Sequence, residues 1–185
     1  MFRTVVAALT LTFTLPLVAD GFKDRYTGNL LRLYGPSATR TSYLTVGIDA
    51  VTSDEEVQAL RTLLKSGGVA AVMKRLEDVE MGAIFTTGSM AVPLCFVRVE
   101  QKPDGKGRRI VAIAARRIAF QETWHQTRSL DYPWSVVILE VDAHGKGEGK
   151  LLEAAKIEMA ENGKVEVTYN TNQPARVLNV RHSDH

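Results

Sequence analysis

The residues best suited to chemistry crowd into one stretch, QETWHQTRSLDYPW at 121–134. In it and just before it stand Arg117, Glu122, Trp124, His125, Arg128, Asp131, Tyr132 and Trp134. An imidazole titrates near neutrality, so His125 can serve as a general acid or base, with Glu122 or Asp131 to orient it. Arg117 or Arg128 could hold an anion through paired N–H donors. That combination suits a hydrolase, and equally the wall of a ligand pocket, because irregular segments between strands carry much binding chemistry. The expected ligand-binding set is Arg117, Glu122, His125, Arg128, Asp131 and Tyr132. The same stretch also has a purely structural use, with Arg128 and Asp131 paired as a brace and Tyr132 and Trp134 packed at a sheet rim.

Other reactive residues lack the partners that chemistry requires. Gly145-Lys146-Gly147-Glu148-Gly149 has neither the spacing of a phosphate loop nor a helix after it, and fits a hairpin connection. Cys95, the single cysteine, sits in a strand pattern beside Phe96 and Val97, which predicts a buried structural thiol. His182 and His185 are three apart in a tail expected to fray, and His144 stands in a turn with no spaced partner. No zinc signature, nucleophile elbow or Walker lysine loop occurs, so no metal and no cofactor is expected.

The elements that must position these residues follow from periodicity. NLLRLY at 29–34 suits a strand, and from Thr41 a clear alternation places Ser42, Leu44, Val46 and Ile48 on one face. Ser53 with Glu56 three residues later forms a capping box, with Asp54 and Glu55 against the positive helix end. Val57, Leu60 and Leu64 share a face before Gly67-Gly68 ends that helix, and Val69, Val72, Met73 and Leu76 define a second. A helical hairpin over about 53–78 is therefore predicted, its apolar stripes needing a sheet to cover.

The remainder is predicted to be β. MGAIFTTG (81–88), AVPLCFVRVE (91–100) and Arg109 to Phe120 fit strands, with a turn at Pro103-Asp104-Gly105. The centre of the third, IVAIAA, is apolar on both faces and should be covered on both. Ser135 to Ala143 alternates with Val137, Leu139 and Val141 inward, and the next strand is expected to place Leu151, Ala155, Ile157 and Met159 on one face. Asn162-Gly163 signals a hairpin leading to Val165, Val167 and Tyr169, and Arg176 to Arg181 should close the sheet with Leu178 and Val180 inward. The fold class is α+β: a predominantly antiparallel sheet, curled or barrel-like, with one inserted helical hairpin.

The first 19 residues supply an address. Arg3 precedes the uncharged run VVAALTLTFTLPLVA, too short to span a bilayer, and a small residue, Ala19, ends it. This pattern predicts a signal peptide over 1–19, export to the periplasm or beyond, and a single globular domain over 20–185. Taking 19 from 185 residues leaves 166, and losing Arg3 leaves a formal charge of about +1. Such balance, without a basic stripe, excludes a nucleic-acid binder. One cysteine permits no intrachain disulfide, so the exported chain depends on its apolar core.

The segments RRIVAIAARRIAFQE, SLDYPWSVVILEVDAHGKGEGKLLEAAKIE and QPARVLNVR, with the capped helices, resemble a family of small exported bacterial proteins of unassigned function. The resemblance implies a shared fold and export, and it carries no catalytic or binding residue. Three functions fit these features. The first is noncatalytic binding of a small apolar or amphipathic ligand inside a curled sheet. The second is a hydrolase using the 121–134 loop, and the third is a protein-interaction module of the cell envelope. A roomy sheet interior would favour the first, whereas an interior packed with Ile, Val and Leu would remove it.

Overall fold

The computed structural model describes residues 22–33, 39–102, 105–115, 133–159, 165–169 and 174–184. In chain order the elements are β1 (Asp24–Leu33), β2 (Thr39–Ile48), α1 (Asp54–Leu76), β3 (Gly82–Thr86), β4 (Val92–Pro93) and β5 (Phe96–Gln101). They continue with β6 (Gly107–Ala114), β7 (Trp134–Asp142), β8 (Lys146–Met159), β9 (Val165–Tyr169) and β10 (Ala175–Asp184). One antiparallel sheet runs β4-β3-β2-β1-β10-β8-β7-β6-β5, and β9 pairs with the last third of β8.

The sheet curls because its two outermost strands are neighbours in sequence. Only Leu94 and Cys95 separate β4 from β5. Leu94 donates its N–H to Gly82 O (2.9 Å) and accepts from Met81 N (2.8 Å), whereas Cys95 donates to Ile113 O (2.9 Å). Two adjacent residues thus bond to opposite ends of the strand order, which folds the sheet into a half-barrel. Its concave side is filled by Tyr26, Leu30, Leu44, Val46, Ile48, Ile84 and Val97 with the inward residues of β6, β7, β8 and β10. The expected strand faces hold here: Leu44, Val46 and Ile48 are buried, as are Val137, Leu139 and Val141. The interior is packed solid in Val, Leu and Ile, so a ligand held inside the curl is not what this core accommodates.

The doubly apolar run in β6 is covered on both sides, as its composition requires. Ile110, Ala112 and Ala114 enter the concave core, while Val111 and Ile113 face a second cluster with Leu60, Leu76, Trp134, Val136 and Leu152. That second cluster lies under α1.

One helical element spans Asp54–Leu76, and it is interrupted at the expected glycine break by one non-helical residue, Gly68, at φ 67° and ψ −169°. That conformation belongs almost solely to glycine. Ser53 caps the start, its Oγ accepting from Glu56 N at 3.2 Å. The reciprocal half of the capping box is missing, because the Glu56 carboxylate bonds Arg75 instead, Nε to Oε1 and Nη2 to Oε2, each 3.2 Å. It is Glu55 whose carboxyl is held below its ordinary value, by its own backbone N–H and then by the Ser53 hydroxyl.

Two bulges overturn two expected strand faces. In β7–β8 the register steps from Trp134↔Ala155 to Val136↔Leu152, so β8 carries one extra residue there. A bulge residue inverts the alternation beyond it. Leu151 accordingly enters the concave core, while Ala155 and Ile157 turn toward α1, contrary to the shared face predicted for them. The buried Ser135 fastens the bulge by donating to Glu153 O at 2.9 Å. In β10 the register breaks between Val177 and Val180, and Asn179 adopts φ 54°, the left-handed region an asparagine tolerates. Val177 and Val180 therefore both point inward and Leu178 is only half-buried, correcting the predicted Leu178 and Val180 pair.

Glycines expected in the β7–β8 connection are partly strand. Only Gly145 belongs to the turn, and β8 starts at Lys146. A Cβ on Gly147 would lie 1.8 Å from Glu140 O, so the close approach of β8 to β7 demands glycine there. The Asp142 carboxylate closes this turn, accepting from His144 N (2.8 Å) and Lys146 N (2.9 Å). Those N–H donors, that of Lys146 foremost, hold its pKa below the ordinary value. The 91–100 strand divides into β4 and β5, as the crossing at Leu94-Cys95 requires.

Candidate functional site

Between α1 and the convex face of β5–β8 lies a cavity of about 420 Å³. That is within the size range of small-molecule sites. Its roof is the helix stripe read from the sequence, including Leu60, Leu64, Val69, Val72 and Leu76. Its floor consists of alternate residues of β5, β6 and β7, joined by Ile157 of β8 and Val167 of β9.

The floor is ordered by cross-strand register. Glu100, Arg109, Glu140 and Glu148 form one row, and Arg98, Val111, Ile138 and Lys150 the next. Phe96, Ile113, Val136 and Leu152 form the third, followed by Trp134 beside Ala155. Polarity falls from row to row: the first is charged throughout, the second is half apolar, and the third is wholly apolar. Rows two residues apart are spaced about 7 Å, so this gradient runs along the strands rather than across them.

The chain leading into α1 is bolted to the polar side of the floor. Thr52 N donates to Val97 O (2.7 Å), and Thr52 Oγ1 accepts from Val97 N (3.1 Å). Arg98 donates to Thr52 O (2.8 Å) and to Asp54 Oδ1 (2.7 Å), which commits this guanidinium to structure. The chain leaving α1 is tied by Met81, whose carbonyl accepts from Asp49 N (2.9 Å) and Ala50 N (3.2 Å). Gly68, at the break in α1, has no atom within 4 Å of where a Cβ would stand. Both stems of α1 are therefore pinned, while its break stands in open space.

Trp134 closes the apolar end of the floor at 1% exposure. Its indole Nε1 is shut off from solvent and meets no acceptor among the described residues, so the ring offers the cavity carbon surface rather than a donor. Cys95 belongs to the same cluster as a structural thiol. It is buried, bonds Ile113 O at 3.4 Å, and burial pushes its pKa up to about 11, opposite to the shift a nucleophile needs.

The six residues expected to bind ligand, Arg117, Glu122, His125, Arg128, Asp131 and Tyr132, lie outside the described residues. Among the described residues on either side, Ala115 packs against the apolar cluster under α1 and Trp134 belongs to it. Sequence reasoning missed Phe96, Val111, Ile113 and Ile138 as a floor, although the doubly apolar β6 run signalled a second covered face. It also missed Arg61 and Arg109 at the polar side. A separate hollow of about 480 Å³ is bordered by Asn29, Arg40, Thr41, Ser42, Thr87 and Tyr43.

His182 corrects the expectation of a frayed tail. It lies in β10, its Nδ1 accepting from Arg108 Nη2 (3.2 Å) and its Nε2 donating to Asp24 Oδ1 (2.7 Å). Its ring stacks on Tyr26 with centroids 4.6 Å apart.

Fold and site together define a curled antiparallel half-barrel with an apolar cavity between its convex face and one helical element. Compared with known proteins, the chain matches no family model, no curated protein and no solved structure.

Proposed function

We propose that this protein is a noncatalytic binder of a small apolar or amphipathic molecule, acting after export in the periplasm or outside the cell. The ligand sits under α1 rather than inside the curl. The carrying observation is that half-buried Val57, Leu64, Val72, Phe96, Val111 and Ile138 converge on space their own side chains leave unfilled. Apolar surface turned toward water is unfavourable by roughly 25 cal/mol per Å², and a ligand that covers it recovers that free energy.

The finer reading of α1 is a helical hairpin used as a lid. Its support is the Glu56–Arg75 pair, which joins residues nineteen apart in sequence. In a straight helix they would stand about 28 Å apart. The two arms on either side of Gly68 are then read as antiparallel, with their apolar stripes side by side over the floor.

Two measurements test this reading. Native mass spectrometry of protein purified from its exported fraction should show a bound small molecule. A neutral environment-sensitive dye should brighten on binding, and Val111→Phe, which fills the cavity, should abolish that signal while leaving circular dichroism unchanged. Dye binding that Val111→Phe does not affect would place the ligand elsewhere.

A second reading, docking of an envelope protein, draws on Val167 and Tyr169, which stand 41% and 42% exposed on β9. A copurified protein partner lost on Tyr169→Ser would favour it.

A further inference from the structure

We propose that the ligand is a single-chain amphiphile with an anionic headgroup, the head held by Arg61 and Arg109 and the chain lying along the apolar rows toward Trp134. This rests on the cavity reading above and adds the chemical class.

The shape of the chain comes from the gradient. A compact apolar ligand would be served by a uniformly apolar lining, but this floor passes in register from Glu100-Arg109-Glu140 to Phe96-Ile113-Val136. From Arg109 to Ile113 is four residues, roughly 14 Å along β6. Zigzag bonds near 1.5 Å advance an extended alkyl chain by roughly 1.25 Å each, so that length takes about twelve carbons. The indole of Trp134 closes the far end without presenting a donor, which suits a terminal methyl.

The sign of the head comes from the charges left over. Six polar residues line the cavity: Asp54, Gln58, Arg61, Arg98, Glu100 and Arg109. Arg98 and Asp54 satisfy each other at 2.7 Å. Glu100 stands across from Arg109 in the ladder, on the same face. Glu140, on the other side of Arg109, pairs with Lys102 at 3.8 Å, and Glu148 beyond it pairs with Arg176 at 3.5 Å; neither lines the cavity. That leaves Arg61 and Arg109 against Glu100 among the lining residues, and neither arginine makes an ion pair or hydrogen bond among the described residues. Their guanidiniums, without a partner among the described residues, present forked N–H donors suited to a carboxylate or a phosphate ester. A cationic head would meet them unfavourably.

The test is titration calorimetry of the full chain, purified without detergent, against decanoate, decanol and decyltrimethylammonium below their aggregation limits. Decanoate should bind at least tenfold more tightly than either of the others, and that preference should shrink with salt. Lengthening the carboxylate from eight to ten carbons should tighten binding about fourfold per methylene, and the gain should stop once the apolar rows are filled. Arg61→Gln with Arg109→Gln should remove the preference for decanoate and leave decanol affinity within twofold. Equal affinity for decanoate and decanol, or an unaltered preference in the double variant, would overturn the headgroup assignment while leaving the cavity in place. If none of the three binds, and the neutral dye also fails, the cavity reading itself falls.

Discussion

Glu56 and Arg75 stand nineteen residues apart within one helical element, yet their side chains meet through two hydrogen bonds of 3.2 Å. The element cannot be straight across Gly68 and still bring them together. The pair is partly exposed, with side chains 29% and 59% accessible, so its share of stability is small, about 0.5 kcal/mol. Its expected influence is on the lid. Glu56→Arg alone should speed release of a bound neutral dye several-fold in stopped-flow, and adding Arg75→Glu should restore the slow rate. Unchanged release in the single variant would remove the pair from any gating role.

Gly68 gives a second prediction. At φ 67° and ψ −169° an alanine is strained by its backbone alone, since no atom lies near its Cβ position. Gly68→Ala should cost about 1–3 kcal/mol in urea unfolding. Dye affinity should fall with it, because the cavity roof depends on the break. Full stability in this variant would mean the break is dispensable.

Glu153 gives a third. Arg32 is 4% exposed in the described fold, pairs with Glu153, and also donates to Ser42 Oγ at 3.0 Å. Glu153→Ala takes a charged partner from a nearly buried guanidinium, so it should destabilise by about 3 kcal/mol. Ser135→Ala, which removes the bond to the Glu153 carbonyl, should cost nearer 1 kcal/mol. Denaturant midpoints compared at constant slope separate the two.

Cys95 supplies a pH dependence. Burial raises its pKa from 9.0 to about 11 in the folded protein. A raised pKa means that the stabilising effect of the buried neutral thiol is fully present below the unfolded value. It is lost as pH rises through the folded one. Between pH 9 and 11 the wild type should therefore lose stability relative to Cys95→Ala, and iodoacetamide should modify the thiol only after unfolding. Parallel stability curves for the two proteins would show that the thiol does not titrate differently on folding.

Much of the sheet was legible because period-two alternation is a local property. Leu44, Val46 and Ile48 face inward as their spacing demands, and so do Val137, Leu139 and Val141. The failures cluster at bulges. Nothing in Leu151 to Ile157 announces that one extra residue will invert the strand, and Leu178-Asn179 gives no local warning either. A bulge is fixed by which partner strand lies alongside, and that is decided far away in sequence. His182 escaped for the same reason, since Asp24 and Arg108 are 158 and 74 residues distant.

By itself the sequence determined the antiparallel character of the sheet, a helical insert after the second strand, the two-sided burial of β6 and the buried state of Cys95. Each depends on periodicity or composition within a short window. Tertiary structure alone decided that β4 and β5 meet opposite ends of the strand order, that the concave side is filled, and that the unfilled space lies under α1. Those outcomes depend on how strands from opposite ends of the chain pair, and on whether side chains of distant segments fill the volume between them. Volume is a property of the assembled sheet and helix, and no single segment encodes it.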